Sequence, residues 1–173
     1  MQDYIDLAEK NGVVLLDQGN CQFCGAKAQR GIHECMEIFN LGFQNIDYSL
    51  PENHYYRFLI VDAHTLQHPE VHGRWNNHFH LTRLRLMFEY EVSWTYALSP
   101  KLSDCLNIYK KEFPDEKLCP PEPLQRGSIT SSDIQIAKDQ KSIIVNWAKE
   151  VYEAWSEHHS TVDKIALRFL KKS

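Results

Sequence analysis

The chain has 173 residues, a formal net charge of -4, 43% hydrophobic and 24% charged residues. That length suits one ordinary domain with a real core, and the composition excludes disordered, collagen-like and coiled-coil classes. The acidic balance gives no global field to attract a nucleic-acid backbone, which argues against nucleic acid as a partner.

The N-terminal stretch MQDYIDLAEKNGVVLLDQGN lacks the basic head and long apolar centre of a secretory signal. No stretch approaches the ~18 apolar residues needed to span a bilayer. A cytoplasmic location away from membranes is the expectation. Five cysteines, an odd number without a signal, point to reduced thiols or metal ligands rather than a disulfide framework.

The elements follow in chain order. Residues 17–34 read as a loop or knuckle, with Gly25 suited to a tight turn. ECMEIFNLGFQ reads as a short helix that packs Ile38 and Phe39 inward. SLPENHYYRFLIVDAHTLQHP carries helix signals at both ends, with Ser49 as candidate N-cap, Pro51 in the first turn and Pro69 as the stop. At 100° per residue Tyr55, Phe58, Leu59 and Leu66 make an apolar stripe with Asp62 in its middle, and Arg57, His64 and His68 lie opposite. The next helix is expected from Asn76 or Asn77 to Pro100, with His80, Leu84, Met87, Glu91 and Trp94 on one stripe. KLSDCLNIYKKEF supplies another. Prolines 114, 120, 121 and 123 and Gly127 mark an irregular crossover. Residues 132–173 form a long helix or helix pair, with Ile144, Trp147, Val151, Trp155, His158 and Val162 facing inward.

With no repeat and no alternating strands, the fold class that results is all-α, a bundle of four to five helices with an N-terminal zinc-knuckle-like loop. Its expected organisation is one helical domain over 1–173. The metal-knuckle segment is 1–48, the central helices 49–113, the Pro-rich crossover 114–131 and the C-terminal helical segment 132–173.

The chemistry concentrates in CQFCGAKAQRGIHEC, residues 21–35. A two-residue gap lets Cys21 and Cys24 reach one ion from a tight turn, and Cys35 or His33 can add a third ligand. There is no second CxxC, so a fourth ligand must come from far along the chain, with His68, His80 and His159 as candidates. The rival reading, a redox dithiol, lacks the βαβ context such pairs occupy.

His64 and His68 are four apart, but no glutamate follows His64, so the HExxH pattern of metalloproteases fails. His64 is expected to be solvated, whereas His68, beside Pro69, can bend toward a site. His72 and His78 read as surface residues, and of His158 and His159 at most one can face a site. Asp62 in an apolar stripe must be paired, either orienting a histidine ligand or bonding Arg57, Arg83 or Trp147. Neither GxSxG, GxxxxGK[ST] nor GxGxxG occurs.

Several stretches together resemble a bacterial family of unknown function: CQFCGA at 21–26, CMEIF at 35–39, VDAHTLQHP at 61–69, HLTRL at 80–84 and WAKEVYEAWSEHH at 147–159. The family tends to carry tyrosine where His64 stands and tryptophan where Tyr152 stands. The resemblance implies a metal-binding domain without an established activity, and it marks Cys21, Cys24, Cys35, Asp62, Gln67, His68 and His80.

The first-choice ligand set for Zn²⁺ is Cys21, Cys24, Cys35 and His68, with His80 or His159 as replacement if Cys35 packs within its helix. Three functions remain in view. The first is a small zinc protein whose metal pins the knuckle to the bundle. The second is a zinc-dependent, hydrolase-like enzyme with an open metal position and Asp62 or His80 as catalytic candidates. The third is an interaction module built on Tyr55, Tyr56, Trp75, Tyr90, Trp94 and Tyr96. The partner, a small molecule or a protein, and the oligomeric state are left open.

Overall fold

A computed structural model describes residues 3–41 and 46–171. Eight α-helices pack against one another, and no strand occurs among the described residues. They are α1 (Asp3–Lys10), α2 (Gly31–Leu41), α3 (His54–Gln67), α4 (Arg74–Phe88), α5 (Leu98–Glu112), α6 (Ser131–Ile136), α7 (Gln140–Ala154) and α8 (His159–Lys171). The fold is therefore the expected all-α bundle. Five helices of 13 to 15 residues, α3, α4, α5, α7 and α8, form it. The pairs α3 with α7, α3 with α4, and α4 with α8 make its principal interfaces.

The apolar stripes read from periodicity account for the core. Phe58, Leu59 and Leu66 of α3, Leu84 and Met87 of α4, and Ile144, Trp147, Val151 and Val162 of the C-terminal helices are all buried. Trp155 is buried where α7 ends, and its indole N–H donates to the Leu66 carbonyl at 3.1 Å. That bond ties the last turn of α3 to the turn between α7 and α8. His158, by contrast, turns outward and contacts the carbonyl of Cys119 at 2.6 Å.

Several helix boundaries depart from expectation: α4 begins at Arg74, two residues early, and Pro100, expected as a stop, lies in the first turn of α5, where a proline is tolerated. Ser49 caps no helix: its backbone N–H and hydroxyl both go to the Asp47 carboxylate, and a 3₁₀ turn over Pro51–Asn53 leads into α3. The α4 helix stops at Phe88 instead of running to Pro100. There the chain reverses, with Glu91 at φ 50° and the Val92 N–H donating to the Leu86 carbonyl, so that Trp94 folds back to stack on Phe169 at 5.6 Å. Burial of that indole against the bundle outweighs the helical periodicity that continues past residue 88. The α2 helix begins at Gly31, three residues earlier than its pattern suggests, and the end expected for it at 42–44 lies outside the described residues. Ile38 and Phe39 within it are half-buried.

The crossover at 113–130 is irregular as its prolines dictate, and a buried arginine anchors it. Arg126, 1% exposed, donates to the Pro121 and Gln67 carbonyls and to both oxygens of Glu70. Four hydrogen bonds from one buried guanidinium tie the crossover to the end of α3 and the turn after it. The crossover then enters α6 through a capping box in which Thr130 and Asp133 exchange hydrogen bonds.

Two separate cores result. The large one belongs to the bundle, and a small one gathers Ala8, Cys21, Phe23, Cys24, Ala26, Ile32, Cys35 and Val71.

Candidate metal centre

The small core is built around a turn. The Cys21 N–H donates to the Ala26 carbonyl, and the Gly25 N–H donates back to the Cys21 carbonyl at 2.9 Å. Gly25 takes φ 78°, the left-handed conformation a glycine adopts without penalty. The turn brings Cys21 and Cys24 to the same side, as a two-residue gap allows.

Cys35 arrives from α2. Gly31, which opens that helix, has φ 54°, and a Cβ there would lie 2.1 Å from the carbonyl oxygen of Leu16. The Glu34 carboxylate accepts the N–H groups of Gln29 and Arg30, fixing the helix start. One turn further on, Cys35 is fully buried.

His68 arrives from the bundle. Pro69 forbids a continued helix, so the backbone leaves α3 at His68 with φ -126° and ψ 46°. Its Nδ1–H donates to the His64 carbonyl at 2.6 Å, which leaves Nε2 free to face the cysteines. Phe39, His64 and His68 stack in sequence, with centroids 3.8 and 4.2 Å apart.

The four ligand atoms converge. The sulfurs of Cys21 and Cys35 each lie 3.5 Å from His68 Nε2, and those of Cys24 and Cys35 are 3.7 Å apart. All four lie within 4.8 Å of one another, and all four residues are buried. This group could hold a metal ion. Around it, the Ala26 N–H points to the Cys24 sulfur at 3.5 Å, and Ser131 Oγ of α6 lies 3.9 Å from that of Cys35.

The electrostatics of the group couple its members. Hydrogen bonds from Cys24, then from Cys35, hold the Cys21 thiol well below its usual range, while hydrogen bonding to Cys21 and Cys35 pushes the Cys24 thiol well above it. Burial works to lower the His68 imidazole, but hydrogen bonds to Cys21 and Cys35 outweigh it and raise it to about 10. Among themselves the thiols share negative charge unequally, because several thiolates in one dry space repel. A divalent cation held there would remove that conflict, since a coordinated thiol is deprotonated outright.

The other sequence candidates lie elsewhere. Asp62 is fully buried, accepts a bidentate pair from Arg83, and takes the Nδ1–H of His80 at 2.6 Å. Asp62 therefore pairs Arg83, one of the partners its sequence position suggested, while the histidine it orients, His80, is not one of the four clustered ligand residues. Burial is the main cause lowering the His80 imidazole, opposed by Asp62. His159 stacks on Tyr152 at 4.0 Å and contacts the carbonyl of that residue. Gln67 ties down the crossover by donating to the carbonyls of Arg126 and Ile129. Neither His80, His159, Asp62 nor Gln67 joins the four-residue group.

Three histidine readings are corrected. His64 is 3% exposed rather than solvated, because Phe39 and His68 sandwich its ring. His78 is fully buried between Trp75 and Tyr109, not at the surface. His72 is half-buried, its Nε2 closed off from water. His33, a third-ligand alternative, instead meets the Tyr4 hydroxyl at 2.6 Å. Of the aromatics weighed as a docking surface, Trp94 is buried, Tyr55, Tyr56, Trp75 and Tyr90 pack partly against the core, and Tyr96 is 49% exposed. Arg126 gave no sequence signal, because its partners Gln67 and Glu70 lie 59 and 56 residues away.

The molecule is thus an all-helical protein with a buried Cys₃His group joining an N-terminal lobe to a helical bundle. The chain belongs to DUF5946, a family of unknown function, whose profile matches residues 19–156. That span contains all four residues of the group. No curated protein and no solved structure matches the chain. No helix among the described residues is long and apolar enough to cross a membrane.

Proposed function

We propose that this is a zinc protein in which one ion, held by Cys21, Cys24, Cys35 and His68, pins the N-terminal lobe to the helical bundle. One observation carries the reading: four soft donors from three separate segments meet within 4.8 Å, all of them buried. Three thiolates with one imidazole are a ligand set of structural zinc sites, and zinc prefers that mixture in tetrahedral form. Four protein ligands leave no position for a substrate, and burial of all four leaves no route to one. This supports a structural role over the hydrolase-like alternative, whose candidate groups Asp62 and His80 are occupied with Arg83 and with each other. A thiolate site of this kind belongs in a reducing compartment, consistent with a cytoplasmic protein.

The test is the metal content of the purified, untagged protein by plasma mass spectrometry, for wild type and for Cys24→Ser and His68→Ala. About one zinc per folded chain, lost in both variants, is the expected result. Metal-free wild type with a native circular dichroism spectrum would overturn it. A cobalt-substituted protein whose spectrum shifts with added anions would instead favour the open, enzymatic site.

A further inference from the structure

The four residues of the metal group divide unequally between the two parts of the molecule. Cys21, Cys24 and Cys35 belong to the N-terminal lobe, and His68 alone comes from the bundle. The contacts within the group are not equivalent either. Cys21 and Cys35 each place a sulfur 3.5 Å from His68 Nε2, whereas the Cys24 sulfur has Cys35 as its near neighbour, 3.7 Å away. All three are free thiols. The Cys24 and Cys35 sulfurs are therefore only roughly 1.7 Å beyond bonding distance.

Cys24 is also the member of the group that an oxidant meets first. It keeps 6% exposure against 1% for Cys21 and none for Cys35, and it sits on the turn just before the half-buried Gly25. Hydrogen peroxide is little larger than water, and it needs the edge of one sulfur rather than a coordination position. Cys35, behind Cys24 on α2, stands where a resolving thiol has to be. The other two cysteines are remote from this pair: Cys105 is buried in the bundle core, and Cys119 lies exposed on the crossover.

We propose that Cys24 and Cys35 are an oxidation switch: a peroxide joins them in a disulfide, and this uncouples the N-terminal lobe from the bundle. The inference rests on the zinc reading, since the tie that is lost runs through His68. The Cys24 thiolate attacks one peroxide oxygen, so that an S–O bond forms, the O–O bond breaks and hydroxide leaves. The Cys35 thiolate then attacks the sulfur of that sulfenic acid, forming the S–S bond as the S–O bond breaks and a second hydroxide leaves. Two electrons pass from the two thiolates to the peroxide. Cys21 and His68 then remain as the group's donors, too few for a tetrahedral site. The new bond lies wholly within the lobe, so a crosslink between lobe and bundle is exchanged for one inside the lobe. A dithiol reductant reverses the exchange.

The test uses the full chain carrying Cys119→Ser, which removes the exposed thiol, with its zinc content measured first. Hydrogen peroxide is added in stoichiometric amounts, zinc release is followed with a chromogenic chelator, and disulfides are mapped by peptide mass spectrometry. The expected result is loss of the bound zinc in step with a Cys24–Cys35 disulfide, both reversed by dithiothreitol and added zinc. His64, whose ring is stacked on Phe39 of α2 at 3.8 Å, should become reactive toward diethyl pyrocarbonate only after oxidation. Zinc that stays bound, sulfinic acids or a Cys21–Cys24 disulfide in place of the expected one, or a His64 that stays protected once the disulfide has formed would overturn the switch and leave the zinc reading standing. Protein that is purified metal-free would overturn the zinc reading and the switch with it.

Discussion

The two cores of this protein differ in how much apolar surface they have to hold them. In the bundle, twenty-seven buried residues among those described form one continuous cluster, Trp147, Trp155 and Phe169 included. Among the described residues the small core gathers eight, seven from the N-terminal lobe and Val71 from the turn after α3, and three of the eight are cysteines. Burial stabilises by roughly 25 cal/mol per Å² of apolar surface, so the bundle can persist on packing alone while the lobe cannot. On the proposed zinc reading, a small lobe attached to a large one borrows a ligand, here His68, and is held by coordination where it has too little surface to bury.

The sharpest way to break this contrast is to strip the metal. Structural zinc supplies on the order of 10 kcal/mol in isolated small domains, so treatment with a chelator should abolish amide-exchange protection over 19–35 and leave α3, α7 and α8 protected. Uniform loss of protection, or none, would show that the two regions share one source of stability.

A somewhat smaller effect is expected from the opposite side. Asp62→Ala leaves Arg83 buried without its partner and should cost about 3–5 kcal/mol in denaturant unfolding. The same variant should keep its metal stoichiometry per folded chain, because Asp62 does not touch the metal group. If instead it lost metal with its bundle still folded, the independence of the two regions would fail.

The smallest of the three effects is titratable. Burial pushes the His78 imidazole down to about 4, below the ordinary value of about 6.5 that it regains on unfolding. The unfolded chain therefore binds this proton first, so stability is full above about pH 6.5 and falls as the pH drops toward 4, by up to about 3 kcal/mol. Unfolding curves across that window should flatten in His78→Gln. Unfolding free energies of wild type and variant that run parallel with pH would remove His78 from the account.

Much of the bundle was legible because amphipathic helices announce themselves. Leu84 and Met87, or Trp147 and Val151, fall at spacings that have one plausible use. The four residues of the metal group were also recoverable, since a CxxCG turn needs donors and His68 stands where Pro69 must turn the chain. What stayed hidden depends on contacts remote in sequence. The stop at Phe88 is made by Trp94 finding Phe169, the burial of His78 by Tyr109 on another helix, and the role of Arg126 by a glutamate 56 residues away. His64 was misread because one helix face can meet solvent or a second lobe, and periodicity does not distinguish them.

Gly31 shows how narrow the mutational path through the lobe is. Its Cα passes so close to the Leu16 carbonyl that even a methyl group would lie 2.1 Å from the oxygen, and the obstacle is backbone, not a side chain that can swing aside. Alanine, tolerated at most helix starts, would there have to push the extended segment before the knuckle away from α2, carrying Cys35 off its mark. Substitution by even the smallest side chain, four residues from the nearest candidate ligand, should therefore act as a ligand knockout, and a search for functional positions that looks only at reactive side chains would pass over it.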